Sequence, residues 1–372
     1  MRRLQTNIIS LLVLAACACL TTGAAQADGP LHFSDSTASA GFKAPVQIRD
    51  GSILAVRTEG TSMKCFRSTD LGKSWQERGI VATDDTPGTD IGDGHLMTLR
   101  NGDLLYSYRD NHIHGRQTGS KQFSIKVATS RDGGKSWQHH STVAAAKATD
   151  FGLWSSYLLQ KQDGTLQCYY DDERSPSLAG LPRHQWITMK TWNPAKGVWE
   201  NPVTVSRATG TKLSRDGMCT MIETSPEHLL CACEGVQEAP PHRGCLWMSR
   251  SSDGGKTWTE SHIPLYEPKN DFNALAPWMV RLGSGTLVMV FTTDEGHDKP
   301  ADASTGVLSQ DLKYMTSADD GVTWAGPWLV DGAYPIYFPG ACMISDKTGV
   351  EAMLVQYSGK DGLRCRIGWP NK

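Results

Sequence analysis

"SRDGGKSW", Ser130–Trp137, holds the Gly-Gly-Lys-Ser run of a phosphate cradle, yet nearly the same octet stands at three more places: "STDLGKSW" (Ser68–Trp75), "SSDGGKTW" (Ser251–Trp258) and "SADDGVTW" (Ser317–Trp324). A P-loop requires a further glycine five residues before its Gly-Lys-Ser/Thr. Those positions hold Thr129, Arg67 and Arg250, so the phosphate reading fails. What the four copies share is Ser-x-Asp-x-Gly-x-x-Trp. An Asp can bond its own backbone in a tight turn, a Gly tolerates positive φ, and a Trp anchors the start of the next strand. The octets therefore read as self-fastening turns of β-hairpins rather than as sites of chemistry.

Their spacing extends the pattern along the chain. The closing tryptophans are Trp75, Trp137, Trp258 and Trp324, and "TWNPAKGVWENP" (Thr191–Pro202) supplies Trp199 as a worn copy in the one wide gap. Successive separations are then 62, 62, 59 and 66 residues. A second repeat precedes each octet: an apolar strand, a turn, and another apolar strand ending in polar residues. Its copies are "VQIRDGSILAVRTEG" (Val46–Gly60), "MTLRNGDLLYSYRDN" (Met97–Asn111), "YLLQKQDGTLQCYYDDE" (Tyr157–Glu173), "TMIETSPEHLLCACEG" (Thr220–Gly235), "MVRLGSGTLVMVFTTDEG" (Met279–Gly296) and "MISDKTGVEAMLVQYSGK" (Met343–Lys360). Six units, each too small to bury both its own faces, argue for radial packing. The expected fold is all-β: one six-bladed β-propeller over residues 28–372, with four strands, A to D, in each blade. The sixth unit lacks an octet before Lys372, so its last strand is expected from the amino end, near Leu31–Ser34.

The first 27 residues read as an export signal: Arg2 and Arg3, an apolar run from Ile8 to Leu20, and Ala25-Gln26-Ala27 as a cleavage site. "LAAC" (Leu14–Cys17) is a rival lipoprotein box that would leave the chain lipid-anchored through Cys17. The expectation is a secreted or periplasmic protein. No later stretch supplies the roughly 20 apolar residues of a spanning helix. Without the two leader arginines the chain carries 35 basic and 39 acidic residues. That balance leaves no basic footprint for nucleic acid. Eight cysteines follow the leader, scattered in a way that suits neither a zinc site nor a small disulfide scaffold. Cys219 can pair with Cys231 or Cys233 across a hairpin, or all three can be buried thiols.

In such a ring the starts of A strands and the ends of B strands share one face, and the octets lie on the other. The B ends offer Glu59, Arg109, Asp110, His112, Asp172, Glu173, Arg174, Glu234, Asp294, Glu295 and Tyr357. The A starts offer Lys43, His95, Arg215, Asp216, Asn273 and Tyr337. Glu234 ends "HLLCACE", an apolar strand, so its carboxyl is expected to be poorly solvated. Glu173 ends the equivalent strand of the preceding blade. Two carboxyls on neighbouring blades suit glycosidic bond cleavage, one protonating the leaving oxygen and the other attacking or guiding water. Rim salt bridges, such as Glu173 with Arg174, are the bland alternative.

These phrases carry a resemblance. The octets are similar to the Asp-boxes of the sialidase/BNR superfamily. "SYRDNH" (Ser107–His112), "GTLQCYYDDE" (Gly164–Glu173), "SRDGMCTM" (Ser214–Met221), "LLCACEG" (Leu229–Gly235) and "LVMVFTTDE" (Leu287–Glu295) resemble glycoside hydrolase family 93, the exo-acting α-1,5-L-arabinanases. The resemblance spans about residues 40–370. It implies a six-bladed enzyme that hydrolyses arabinan from a chain end with retention, using two glutamates. No cofactor is expected, and the chain is expected to act as a monomer on an oligo- or polysaccharide. Glu173 and Glu234 fall on the family's catalytic pair, without settling which is nucleophile and which acid/base. Arg109, His112, Arg215 and Asp216 match its sugar-holding positions. His95, Asp294, Tyr337 and Trp154 complete the expected substrate contacts. Two departures stand out: "FGLWSS" (Phe151–Ser156) replaces a Trp-Glu-Pro-like phrase, and "RDNHIHGR" (Arg109–Arg116) lengthens one wall.

Three rivals remain. A sialidase requires an arginine fork for the sugar carboxylate, and "FKAP" (Phe42–Pro45) offers Lys43 instead, a poor substitute. Its phenol would be Tyr337 or Tyr357. A lyase acting on uronate polysaccharide would draw its base from His95, His112, His114, Tyr334 or Tyr337. A non-catalytic carbohydrate-binding propeller is the third. "HIH" (His112–His114) lacks a third ligand for a metal. The acidic "DDTPGTDIGDG" (Asp84–Gly94) reads as a loop roofing the site, without the ordered spacing of a calcium loop.

Overall fold

The computed structural model describes residues 29–371 apart from 42, 114–120, 149–150, 208–214, 238–241, 259, 302–309 and 334. The expected leader with Cys17, and the candidates His114 and Tyr334, lie outside the described residues. Six antiparallel sheets surround one axis. Blade one comprises Val46–Gln47, Ile53–Glu59, Ser62–Ser68 and Gln76–Thr83, and blade two Thr89–Thr98, Leu104–His112, Lys121–Ser130 and Gln138–Ala148. Blade three comprises Leu153–Gln160, Leu166–Asp172, Trp186–Asn193 and Val198–Ser206, and blade four Arg215–Ser225, His228–Val236, Gly244–Ser251 and Glu260–Tyr266. Blade five comprises Ala274–Arg281, Leu287–Thr293, Asp311–Ser317 and Ala325–Asp331. Blade six takes Tyr337–Ser345, Glu351–Gly359 and Gly362–Pro370 from the carboxyl end and Leu31–Phe33 from the amino end. Leu31 pairs with Pro370 and Phe33 with Gly368, which closes the ring as the sequence predicts. Among the described residues the single helix is the five-residue turn Arg174–Leu178, and no helix is long and apolar enough to cross a membrane.

Each octet joins strands C and D, as expected, and its Ser and Asp bonds are nearly identical in all four copies. In blade two, Gly134 N donates to Ser130 Oγ at 2.9 Å, and Ser136 N and Oγ donate to Asp132 at 3.0 and 2.6 Å. Trp137 Nε1 donates to Gly134 O at 3.1 Å. The glycine stands at φ +87°, a conformation that disfavours any other residue. The octets also join blades. Gly134 packs on Cys65 and Leu54 of blade one, Gly255 on Gln167 and Met189 of blade three, Gly321 on Leu230 of blade four, and Gly72 on Leu354 and Cys365 of blade six. A side chain in place of any of these glycines would be driven into the preceding blade. Blade three lacks the octet. Its Asn193 accepts from Lys196 N, and Trp199 Nε1 donates back to Ser141 of blade two at 2.8 Å.

The octets give the fold a defined acid response. Against the desolvation that burial imposes, the hydrogen bonds from Ser136 and Ser130 hold Asp132 down at about 2, and Asp253 is likewise held at about 2. Unfolded carboxyls titrate near 4. The unfolded chain therefore binds more protons between these values, and stability is lost as pH falls from about 4 toward 2. Asp132→Ala is expected to lower stability by about 1 kcal/mol, the scale of a lost capping residue. Thermal melts should show this at neutral pH, with kcat unchanged. A selective loss of kcat at an unchanged melting temperature would contradict the assignment of this turn to the non-functional face.

All eight described cysteines are free. Cys219, Cys231 and Cys233 cluster as thiols, and hydrogen bonding among them with burial pushes Cys231 well up.

Candidate active site

Strand alternation is broken at one equivalent place in five innermost strands. The A–B ladders skip between Gly92 and His95, Leu153 and Ser156, Gly217 and Thr220, Leu275 and Trp278, and Tyr337 and Gly340. These are β-bulges, which re-aim side chains. Four of them place a non-glycine residue at positive φ: Asp93 (+49°), Met218 (+50°), Ala276 (+52°) and Phe338 (+50°). Lys43, on the approach to blade one, has the same conformation at +56°. The strained residues thus ring the axis, where strain of this kind tends to serve function. Gly340 permits the ring to tighten, because a Cβ there would lie 2.2 Å from Lys43 Cα.

Below the bulges the innermost strands are stitched together around the axis. Leu158 N donates to His95 Nδ1 (2.9 Å), Tyr157 Oη to Met221 O (3.2 Å), Met279 N to Thr220 Oγ1 (3.1 Å) and Trp278 Nε1 to Ala341 O (2.9 Å). His95 stacks on Tyr157 at 3.9 Å, and burial pushes it down to about 3. It is therefore a neutral floor residue whose Nδ1 already accepts a backbone bond. Trp278 is buried in the same floor.

Charge gathers above this floor. Asp93 binds Lys43 Nζ, Arg109 Nη1 (2.5 Å) and Ser155 Oγ (2.6 Å), while Asp90 takes the rest of the Arg109 fork at 2.9 and 3.0 Å. Burial alone would raise Asp93, but Lys43 and Arg109 hold its carboxyl well below the usual range. Thr89–Thr98 is thus the first strand of blade two, and the loop expected over Asp84–Gly94 ends before it. Glu234 presents its carboxyl to the bulge of blade five, accepting from Ala276 N at 2.8 Å. Burial pushes Glu234 upward, with Asp93 adding to the rise and Lys43 and Arg215 opposing it. Glu173, 8% exposed, pairs with Arg215 Nη1 at 2.7 Å, and the other arm of Arg215 is held by Gln185 Oε1 at 2.8 Å. Glu173, Arg215, Glu234, Arg109 and Lys43 therefore share one charged hub.

Several expected contacts are engaged by the protein itself. Asp216 is fully buried and accepts from Ser206 Oγ and His262 Nε2, both at 2.6 Å. Asp294 fastens its own loop through Asn273 Nδ2 (2.9 Å) and Ala301 N (2.7 Å). Trp154 sets its ring against Phe123 of blade two, 5.7 Å between centroids, rather than over the hub. Tyr337 lies 6.3 Å from Phe338 at the bulge of blade six. Tyr357 is buried, donates to Asp331, and is pushed up to about 12 by burial, which ill suits a nucleophilic phenol. His112 Nε2 meets Asp84 at 2.8 Å, beside Asp110, and these three offer ligand atoms within 4.8 Å of one another. Lys126 pairs with the same Asp110 at 2.5 Å, so a cationic side chain already faces these carboxylates.

Residues 102–305 match the family model of the BNR repeat-like domain. The chain belongs to the BNR repeat-like family. No curated protein matches it significantly. Among solved structures, this BNR propeller is similar to an α-L-arabinofuranosidase from Fusarium graminearum bound to an iminosugar inhibitor. Identity is 17%, the TM-score is 0.67, and the match covers 91% of this chain and 98% of that one. An α-L-arabinanase from Penicillium chrysogenum complexed with arabinobiose matches at 19% identity and a TM-score of 0.61, over 90% and 98% of the two chains. A protein of unknown function from Dyadobacter fermentans matches at 15% and 0.65, over 92% and 100%. At these identities the likeness is one of fold.

Proposed function

We propose that this BNR propeller is a glycoside hydrolase that releases terminal units from an arabinan-type polysaccharide with retention of configuration. The observation that carries the reading is the pair of acidic side chains from neighbouring blades, Glu173 and Glu234, joined to one hub through Arg215. The two similar structures, an arabinofuranosidase bound to an iminosugar inhibitor and an arabinanase complexed with arabinobiose, support arabinan as the substrate class. Glu234, desolvated and raised, suits the general acid that protonates the leaving oxygen. Glu173, facing a guanidinium, suits the carboxylate that attacks the anomeric carbon. The bond from that carbon to the leaving oxygen breaks as the proton moves from Glu234, and water then cleaves the glycosyl–Glu173 ester with Glu234 acting as base. Arg109 and Lys43, fixed by Asp93, line the same hub and would contact sugar hydroxyls. Export by the leader would bring the enzyme to its polymer.

The test is product analysis on linear arabinan, branched arabinan, sialyl-lactose and a uronate polysaccharide. Linear arabinan is expected to yield one small product from the start of the reaction, its anomeric proton signal that of the α-configured sugar. Release of sialic acid, or an unsaturated product absorbing in the ultraviolet, would replace this reading with one of the rivals.

A further inference from the structure

One backbone device is used twice at the hub. In blade four, Glu234 accepts the N–H of Ala276, the positive-φ residue of the next blade's bulge, at 2.8 Å. In blade three, Asp171 accepts the N–H of Met218, the equivalent residue of its own next blade, at 3.3 Å. Asp171, and not Glu173, is therefore the structural counterpart of Glu234. Both lie beside the first strand of blade four. Gly217 stands directly opposite Glu234 in the ladder, and a Cβ on Gly217 would come 3.2 Å from Asp171 Oδ2.

Asp171 is 3% exposed, and its Oδ1 is buried with no hydrogen-bond partner among the described residues. Its neighbour Asp172 points to the other face, where it caps the Arg174–Leu178 turn through Arg174 N and Ser175 N. Burial pushes Asp171 well up, Asp93 and Glu234 push it the same way, and Lys43 opposes them. Lys43 is itself bound by Asp93, and Arg215 by Glu173. An unpaired carboxylate oxygen in such surroundings is costly unless a proton is kept there.

We propose that Asp171 is a positioning residue for Glu234, the two carboxyls forming an electrostatically coupled pair in which the charge of either one favours a proton on the other, at the place where the leaving oxygen arrives. Its purpose rests on the glycosidase reading, whereas the pairing itself does not. Two carboxyls coupled in this way lose their protons in separate steps that belong to the pair.

The experiment is a carbon-13 titration of the side-chain carboxyls in the wild-type protein, in Asp171→Asn and in Glu234→Gln. The wild type is expected to show two steps separated by at least about two pH units, the scale of known carboxyl dyads. In each variant the surviving carboxyl is expected to titrate once, at least about one pH unit below the later wild-type step. The alkaline limb of kcat/KM in Asp171→Asn should move to lower pH by a similar amount, which a merely structural residue would not cause. A surviving carboxyl that still titrates at the later wild-type step in either variant overturns the pairing. Either variant alone suffices if the other fails to fold. Should the wild type cleave no glycan, the glycosidase reading falls while the titration still decides the pairing.

Discussion

Glu234→Gln is expected to lower kcat on linear arabinan by about a thousandfold, the usual scale for removal of a general acid, with little change in KM. The same variant should melt no lower than the wild type at neutral pH. Burial raises the proton affinity of Glu234 in the folded state, so the native protein binds more protons than the unfolded chain above the ordinary carboxyl range. Stability conferred by the group is thus lost as pH rises through that range. A neutral amide escapes this cost while its carbonyl still accepts from Ala276 N. Loss of activity with a preserved or higher melting temperature marks a residue kept for chemistry. A large fall in melting temperature would instead assign Glu234 to the scaffold.

Asp93→Asn is expected to destabilise the fold by about 3 kcal/mol, the scale for breaking one side of a buried ion pair. For a chain of this size that corresponds to a fall of about 4 °C in melting temperature. Asn tolerates the left-handed backbone at this position, so the substitution tests charge rather than strain. Without the carboxylate, Lys43, which is 5% exposed, loses its ion pair, whereas Arg109 keeps Asp90. The double variant Lys43→Met/Asp93→Asn should therefore recover most of the lost stability. Equal destabilisation of the single and double variants would show that the ion pair is not what holds this corner of the hub.

How much of this the sequence discloses follows from how local each signal is. The octets are legible because Ser, Asp, Gly and Trp interact within eight residues, and their bonds form as the residue types imply. The closing strand at Leu31–Phe33 is legible because a ring of six units leaves one strand position empty. Glu234 shows itself by ending an apolar strand. Asp93 does not: "TDIGDG" has the composition of a loop, and only the bulge after Gly92 makes it part of a strand. Asp171 is hidden for a related reason. "LQCYYDD" is buried along its whole length, so no alternation tells which of its two aspartates faces the axis. His95, Asp216 and Asp294 are polar residues at the expected strand ends, but the partners that engage them, Leu158, His262 and Ala301, come from elsewhere in the chain.

The most direct test of the hub as the reaction centre is a crystal structure of Glu234→Gln with a linear arabino-oligosaccharide. The terminal furanose is expected above the His95–Tyr157 floor, its glycosidic oxygen about 3 Å from residue 234 and its anomeric carbon facing Glu173. Sugar bound instead in the blade-six cavity beside Asp331, Arg364 and Arg366, with the hub left to solvent, would contradict the account.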